Sequence, residues 1–119
     1  MTVEVLGATR VLRLPQAGAQ IGRAGASDLV GEALGADATV VAVPVERLDP
    51  DFFRLSTGVA GEIAQKLVNY RLRLAIVGDI AAHLERSAPL RDWVRESNRG
   101  RELMFLEDWA EMEARLTPR

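Results

Sequence analysis

At 119 residues the chain is the size of one domain, which on general size scaling buries about two thirds of its unfolded surface. Hydrophobic residues make up 48% and charged residues 27%, and cysteine is absent; this excludes a disordered chain, disulfides, thiol catalysis and thiolate zinc sites. A formal net charge of −2 removes any general electrostatic drive toward nucleic acid or acidic membranes, and no apolar run reaches the roughly 18 residues a membrane helix needs.

The chain begins with alternation. Residues 2–6 and 10–14 alternate apolar and polar side chains around Gly7-Ala8-Thr9, the pattern of a short hairpin. Residues 15–26, rich in Gly, Ala and Pro, read as a flexible connector and the least ordered stretch. Ser27 can cap a helix over 28–36, with Leu29, Val30, Ala33 and Leu34 on one face. Thr39 to Val43 is a β-branched run stopped by Pro44, which suits a strand covered on both faces. Residues 58–70 follow a helical period, with Val59, Ala60, Ile63, Leu67 and Tyr70 inward. Gly58 and Gly61 weaken that helix, and their size would let its first turn approach a strand or a ligand.

Residues 72–77 form the next strand, and Asp79 can cap a brief helix through Leu84. Ser87 and Pro89 open a helix with Leu90, Trp93, Val94 and Ser97 inward and Gly100 as its stop. Leu103 to Leu106 is a last strand. Asp108 with Glu111 resembles a capping box for a final helix carrying Trp109, Met112 and Leu116 inward, with Pro118 beyond it. This order predicts one α/β domain over residues 1–119: a mainly parallel or mixed five-stranded sheet opening with a β-hairpin, under about four covering helices.

In such a sheet, loops after strands gather at the carboxyl end and loops before strands at the amino end. Asp49, Asp51, Ser56, Thr57, Gly58, Asp79, His83, Glu107 and Asp108 then share the carboxyl edge, while Asn98, Arg99 and Arg101 lie at the opposite, basic edge. Ser56 and Thr57 ahead of Gly58 suit an anion or a phosphorylation event, and Asp51, Phe52, Gly61 and Asp79 complete a surface for a protein partner or small anionic ligand. Arg99 and Arg101 with Asn98 could hold an acidic group. Capping alone accounts for Ser56 or Thr57, Asp79 and Asp108 equally well. Asp49, Asp51 and Asp79 could offer oxygen ligands to Mg²⁺, but Asp-Pro-Asp also serves a plain turn, the single His83 cannot make a multi-histidine site, and no metal is expected. Nothing in the chain calls for a cofactor.

Two resemblances follow from these residues. Leu-Asp-Pro-Asp-Phe-Phe, Ser-Thr-Gly-Val-Ala-Gly-Glu, Val-Asn-Tyr-Arg, Ala-Ile-Val-Gly-Asp-Ile and Glu-Ser-Asn-Arg-Gly-Arg, within Val45 to Arg101, resemble the bacterial family called domain of unknown function 4180. That family implies kinship without an activity. More distantly, the hairpin, central strand and Leu55 to Gly61 are similar to the sulfate-transporter and anti-sigma-factor-antagonist (STAS) domain. That likeness implies a STAS-like fold, Ser56 as the residue a partner kinase phosphorylates, and the same surface as the kinase contact; Leu55 stands where the motif has aspartate. The expected function is a non-catalytic signalling or interaction module. Two alternatives are a small hydrolase or phosphotransfer enzyme using Asp51, Asp79 and His83, and a structural homodimer joined through Phe52, Phe53 or an outer helix face. With no basic segment leading into an apolar stretch at Met-Thr-Val-Glu, the expected location is the cytoplasm.

Overall fold

Strands β1 (Thr2–Leu6) and β2 (Thr9–Arg13) pair antiparallel, with Leu6 opposite Thr9 and Gly7 at φ +61° in the two-residue turn. A residue without Cβ suits that left-handed corner. The fold comes from a computed structural model and is described for residues 1–117; Pro118, expected beyond the last helix, lies outside the described residues. Strands β3 (Val40–Pro44), β4 (Arg73–Val77) and β5 (Leu103–Leu106) continue in parallel, so the sheet runs β1-β2-β3-β4-β5 in chain order. The helices are α1 (Ala26–Gly35), α2 (Val59–Asn69), α3 (Ala81–Arg86), α4 (Ala88–Arg99) and α5 (Trp109–Leu116). The predicted α/β sheet with its hairpin start is thus observed, with the brief helix making a fifth.

Alternation along the strands divides the core in two. Leu12, Val41, Val43, Leu74, Ile76, Leu103 and Phe105 face one side and pack with the buried faces of α1, α2 and α4. Val11, Val40, Ala42, Ala75, Met104 and Leu106 face the other, where α5 covers them with Met112 and Leu116. Burying each large apolar side chain stabilises by about 1.5–3 kcal/mol relative to exposure, which makes a sheet lined on both faces the main source of cohesion. Because α1, α2 and α4 lie over one face while each connection steps one strand the same way, the strand order never reverses. The crevice that a reversal creates at the carboxyl end of doubly wound sheets is absent, and clefts form instead where loops leave gaps.

Several local expectations are corrected. Ser27 does not cap α1, which starts one residue earlier behind Gly25 with no side-chain cap. Leu34 and Tyr70 are each 49% exposed rather than inward, since α1 and α2 bury only the narrower stripes Leu29, Val30, Ala33 and Val59, Ala60, Ile63, Leu67. A Cβ on Gly61 would meet nothing within 4 Å, so close approach does not explain that glycine. The 15–26 connector is tied down: Ile21 bridges Leu48, and the Arg47 guanidinium donates to the carbonyls of Pro15, Ala17 and Ala19 at 3.0, 3.3 and 2.9 Å. No helix among the described residues is long and apolar enough to cross a membrane.

Candidate functional site

After β3 the chain makes three single 3-10 turns, Val45–Arg47, Pro50–Phe53 and Leu55–Thr57, before entering α2. The Asp49 carboxylate accepts from the Asp51 N–H at 2.9 Å, and Pro50 presets φ at the first turn position, so Asp-Pro-Asp works as a turn. This turn drives two aromatics inward. Phe52 is fully buried and Phe53 is 6% exposed, so neither is offered to a partner as it stands. Thr57 is equally committed: its hydroxyl donates toward the carbonyls of Asp51 and Arg54, both at 2.8 Å, and accepts from the Val59 N–H at 3.2 Å. Gly58, at φ +78°, turns the chain from the last 3-10 turn into α2, a conformation that favours glycine.

Ser56 has a different setting. It is exposed, and among the described residues its hydroxyl has no hydrogen-bond partner. It borders a cleft of about 510 Å³ lined by Phe53, Arg54, His83, Arg86 and Ser87 among others, at the carboxyl end of the sheet on the α2 and α4 side. The far wall exists because two caps fold the chain back after β4. The Asp79 carboxylate accepts from the Ala81 N–H at 2.9 Å to start α3, and the Ser87 hydroxyl accepts from the Leu90 N–H at 3.1 Å to start α4. His83 on α3 lies flat on Phe53, with centroids 4.0 Å apart and planes within 9°. Phe53 in turn meets Phe52 edge-on at 5.2 Å, and Phe52, Trp93 and Phe105 continue the cluster inward. The cleft floor is therefore an extension of the core.

Its walls are basic. Among the described residues no carboxylate lines the cleft, Arg86 forms no ion pair, and Arg54 has only a loose, exposed pairing with Asp51 at 3.8 Å. Partial burial, followed by the nearby positive Arg86, holds the His83 pKa below the ordinary 6.5. Neutral imidazole is favoured in the fold, so the unfolded chain binds protons more readily and stability declines as pH falls through the ordinary value. His83 is the one histidine, so chemical denaturation between about pH 7.5 and 5.5 isolates it. Wild type should lose stability on acidification across that window, and His83→Phe, which keeps a ring on Phe53, should lose clearly less; equal losses would contradict the assignment.

A second cleft of about 480 Å³ lies at the carboxyl end on the α5 side, bordered by Arg13, Glu46, Gly78, Glu107, Asp108 and Trp109 among others. Arg13 stands 3.9 Å over the Trp109 ring. The Asp108 carboxylate accepts from the Glu111 N–H at 2.8 Å while the Glu111 carboxylate accepts from the Glu107 N–H at 3.0 Å, a reciprocal cap closely like the predicted capping box. With three carboxylates to one guanidinium, this cleft repels anions.

The carboxyl edge is thus not one surface. Ser56 and His83 meet in the basic cleft; Glu107 and Asp108 belong to the acidic one; Phe52 and Thr57 are turned inward; Gly61 faces the groove between α2 and α4. No hydrogen bond or ion pair joins Asp51, Asp79 and His83, and no group of three acidic or imidazole side chains among the described residues could hold a metal ion. At the other edge, Asn98 accepts from the Phe105 N–H at 2.7 Å and Arg99 pairs with Glu96 at 3.4 Å, while Arg101 forms no ion pair among the described residues. Sequence reasoning missed Arg54 and Arg86. Neither carries a local motif; Arg54 stands two residues before Ser56, while only the return of α3 over Phe53 brings Arg86 beside it.

The family model for a domain of unknown function (DUF4180) matches residues 6–116. The chain belongs to that family. No curated protein and no solved structure matches the chain.

Proposed function

We propose that this family member is a non-catalytic binding module whose working surface is the basic cleft around Ser56, taking a small anionic ligand at the carboxyl end of the sheet. The observation that carries the reading is the convergence of Arg54, Arg86 and the exposed Ser56 hydroxyl around the Phe53–His83 stack, in a cleft that no carboxylate lines among the described residues. Guanidinium groups bind oxyanions through paired, charge-assisted hydrogen bonds, and an uncommitted hydroxyl adds one more. The caps and the aromatic floor fix both walls before a ligand arrives, which limits the ordering cost of binding.

Removing one charge-assisted contact costs on the order of 1.5–3 kcal/mol, which is roughly tenfold or more in affinity. Arg86→Gln should therefore weaken inorganic phosphate binding by about tenfold or more, followed through the Ser56 and Ser87 amide resonances. Arg54→Gln should cost less, because Asp51 already offsets that charge. Unchanged phosphate affinity in Arg86→Gln would overturn the reading.

A second reading rests on the free Ser56 hydroxyl itself: phosphorylation by a partner kinase, as the STAS resemblance implies. Arg54 and Arg86 would then neutralise the phosphoryl group within the same chain. Intact mass after incubation with cell extract and ATP tests this, with Ser56→Ala as the control. An unmodified wild-type chain beside a modified control substrate would count against it.

A further inference from the structure

We infer that the amino end of the sheet carries a separate anion site, a pocket of about 370 Å³ in which Arg73, Arg101 and Arg115 surround the position of a phosphoryl or similar dianionic oxyanion. Ala8, Thr9 and Leu116 complete its lining, which contains no carboxylate among the described residues. It lies on the α5 side, at the opposite end of the strands from the Ser56 cleft.

The three arginines come from separate parts of the chain. Arg73 is the first residue of β4, in register with Val40 of β3, on a face that is otherwise largely apolar. Its Nε donates to the Arg101 carbonyl at 2.5 Å, which fixes the guanidinium against the strand entering β5. From α5, the Arg115 Nη2 donates to the carbonyls of Asn98 and Gly100 at 2.9 and 3.3 Å, holding a second guanidinium over the same opening. The Arg101 side chain makes no hydrogen bond or ion pair among the described residues. Backbone carbonyls use only part of the Arg73 and Arg115 forks, and among the described residues the remaining N–H donors have no hydrogen-bond partner.

Like charges gathered without counter-charge disfavour the unliganded fold. Burial first, and then the nearby positive Arg101 and Arg115, lower the Arg73 pKa from its ordinary value, so repulsion among the three is a secondary part of that shift. A purely structural arginine cluster would bring an acidic partner; here fixed donors stand together with charge that no acidic group among the described residues offsets. Three guanidinium groups match a dianion better than a single carboxylate, and the Thr9 hydroxyl suits an oxyanion.

Arg101→Gln separates this site from both a structural role and the Ser56 cleft. The substitution keeps the carbonyl that Arg73 uses. Binding of inorganic phosphate, and separately of glycerol 3-phosphate, is followed at constant ionic strength against chloride through the Thr9 and Leu116 amide resonances. Wild type should show saturable shifts with at least one of the two, and the arm that saturates at lower concentration identifies free phosphate or a phosphomonoester as the preferred source. Arg101→Gln should weaken that binding by about tenfold while leaving the unliganded chain as stable as wild type or more so. Arg86→Gln should leave these resonances responding as in wild type. Shifts no larger than those with chloride, or an Arg101→Gln chain that binds like wild type, would overturn the inference.

Discussion

Phe52→Ala should destabilise the fold by about 3–5 kcal/mol, the range for emptying a buried aromatic site, and lower the thermal midpoint by more than ~10 °C. Phe52 has 0% exposure and sits between Phe53 at 5.2 Å and Trp93 at 6.2 Å, with Trp93 passing the packing on to Phe105 of β5. Little can collapse into the space, because the neighbours are rings held by α4, β5 and a 3-10 turn. Total stabilities of small domains are only about 5–15 kcal/mol, so the loss takes a large share. It should also reach the cleft: Phe53 rests on Phe52, and His83 rests on Phe53. Urea unfolding gives the energy, and a change below about 1 kcal/mol would show that the aromatic cluster is not a support.

Gly78→Ala should cost roughly 2–5 kcal/mol although it adds a single methyl group. Gly78 lies just past β4 at φ +142°, where an L side chain is strained, and its new Cβ would stand 2.8 Å from Val45 Cγ2 and 3.1 Å from Val45 Cβ. Val45 begins the first 3-10 turn after β3, so relief must come from moving that turn or the β4 exit. Both lead toward the clefts at this end. Gly61→Ala makes the comparison, since its Cβ meets nothing within 4 Å and alanine favours a helix interior; it should be neutral or slightly stabilising. Equal behaviour of the two variants in urea denaturation would refute this contrast.

Strands and helices were legible in the sequence because their causes are local. Val40 to Val43 and Leu74 to Val77 are apolar runs of strand length, and the caps at Ser87 and Asp108 act on their own helices. Leu34 and Tyr70 were misplaced because periodicity gives a direction around a helix without the width of the surface that covers it. The role of Arg47 has no local signal, because the carbonyls it binds lie 28 to 32 residues away. The same reason hid the cleft: Ser56 was visible as a small polar residue before a helix, but Arg86 and the Phe53–His83 stack meet it only through the fold. Arg101 was placed at the right edge, while Arg73 was hidden inside a strand and Arg115 inside a helix.

His83 offers the most direct measurement of whether the Ser56 cleft holds an anion, because it is the only imidazole and forms part of the lining. Its ring C2–H resonance can be followed through a pH titration in chloride and again in inorganic phosphate at the same ionic strength. A bound anion favours the protonated imidazole, so phosphate should raise the His83 pKa in wild type, and Arg86→Gln should reduce that rise. A His83 titration that phosphate leaves unmoved would contradict the account.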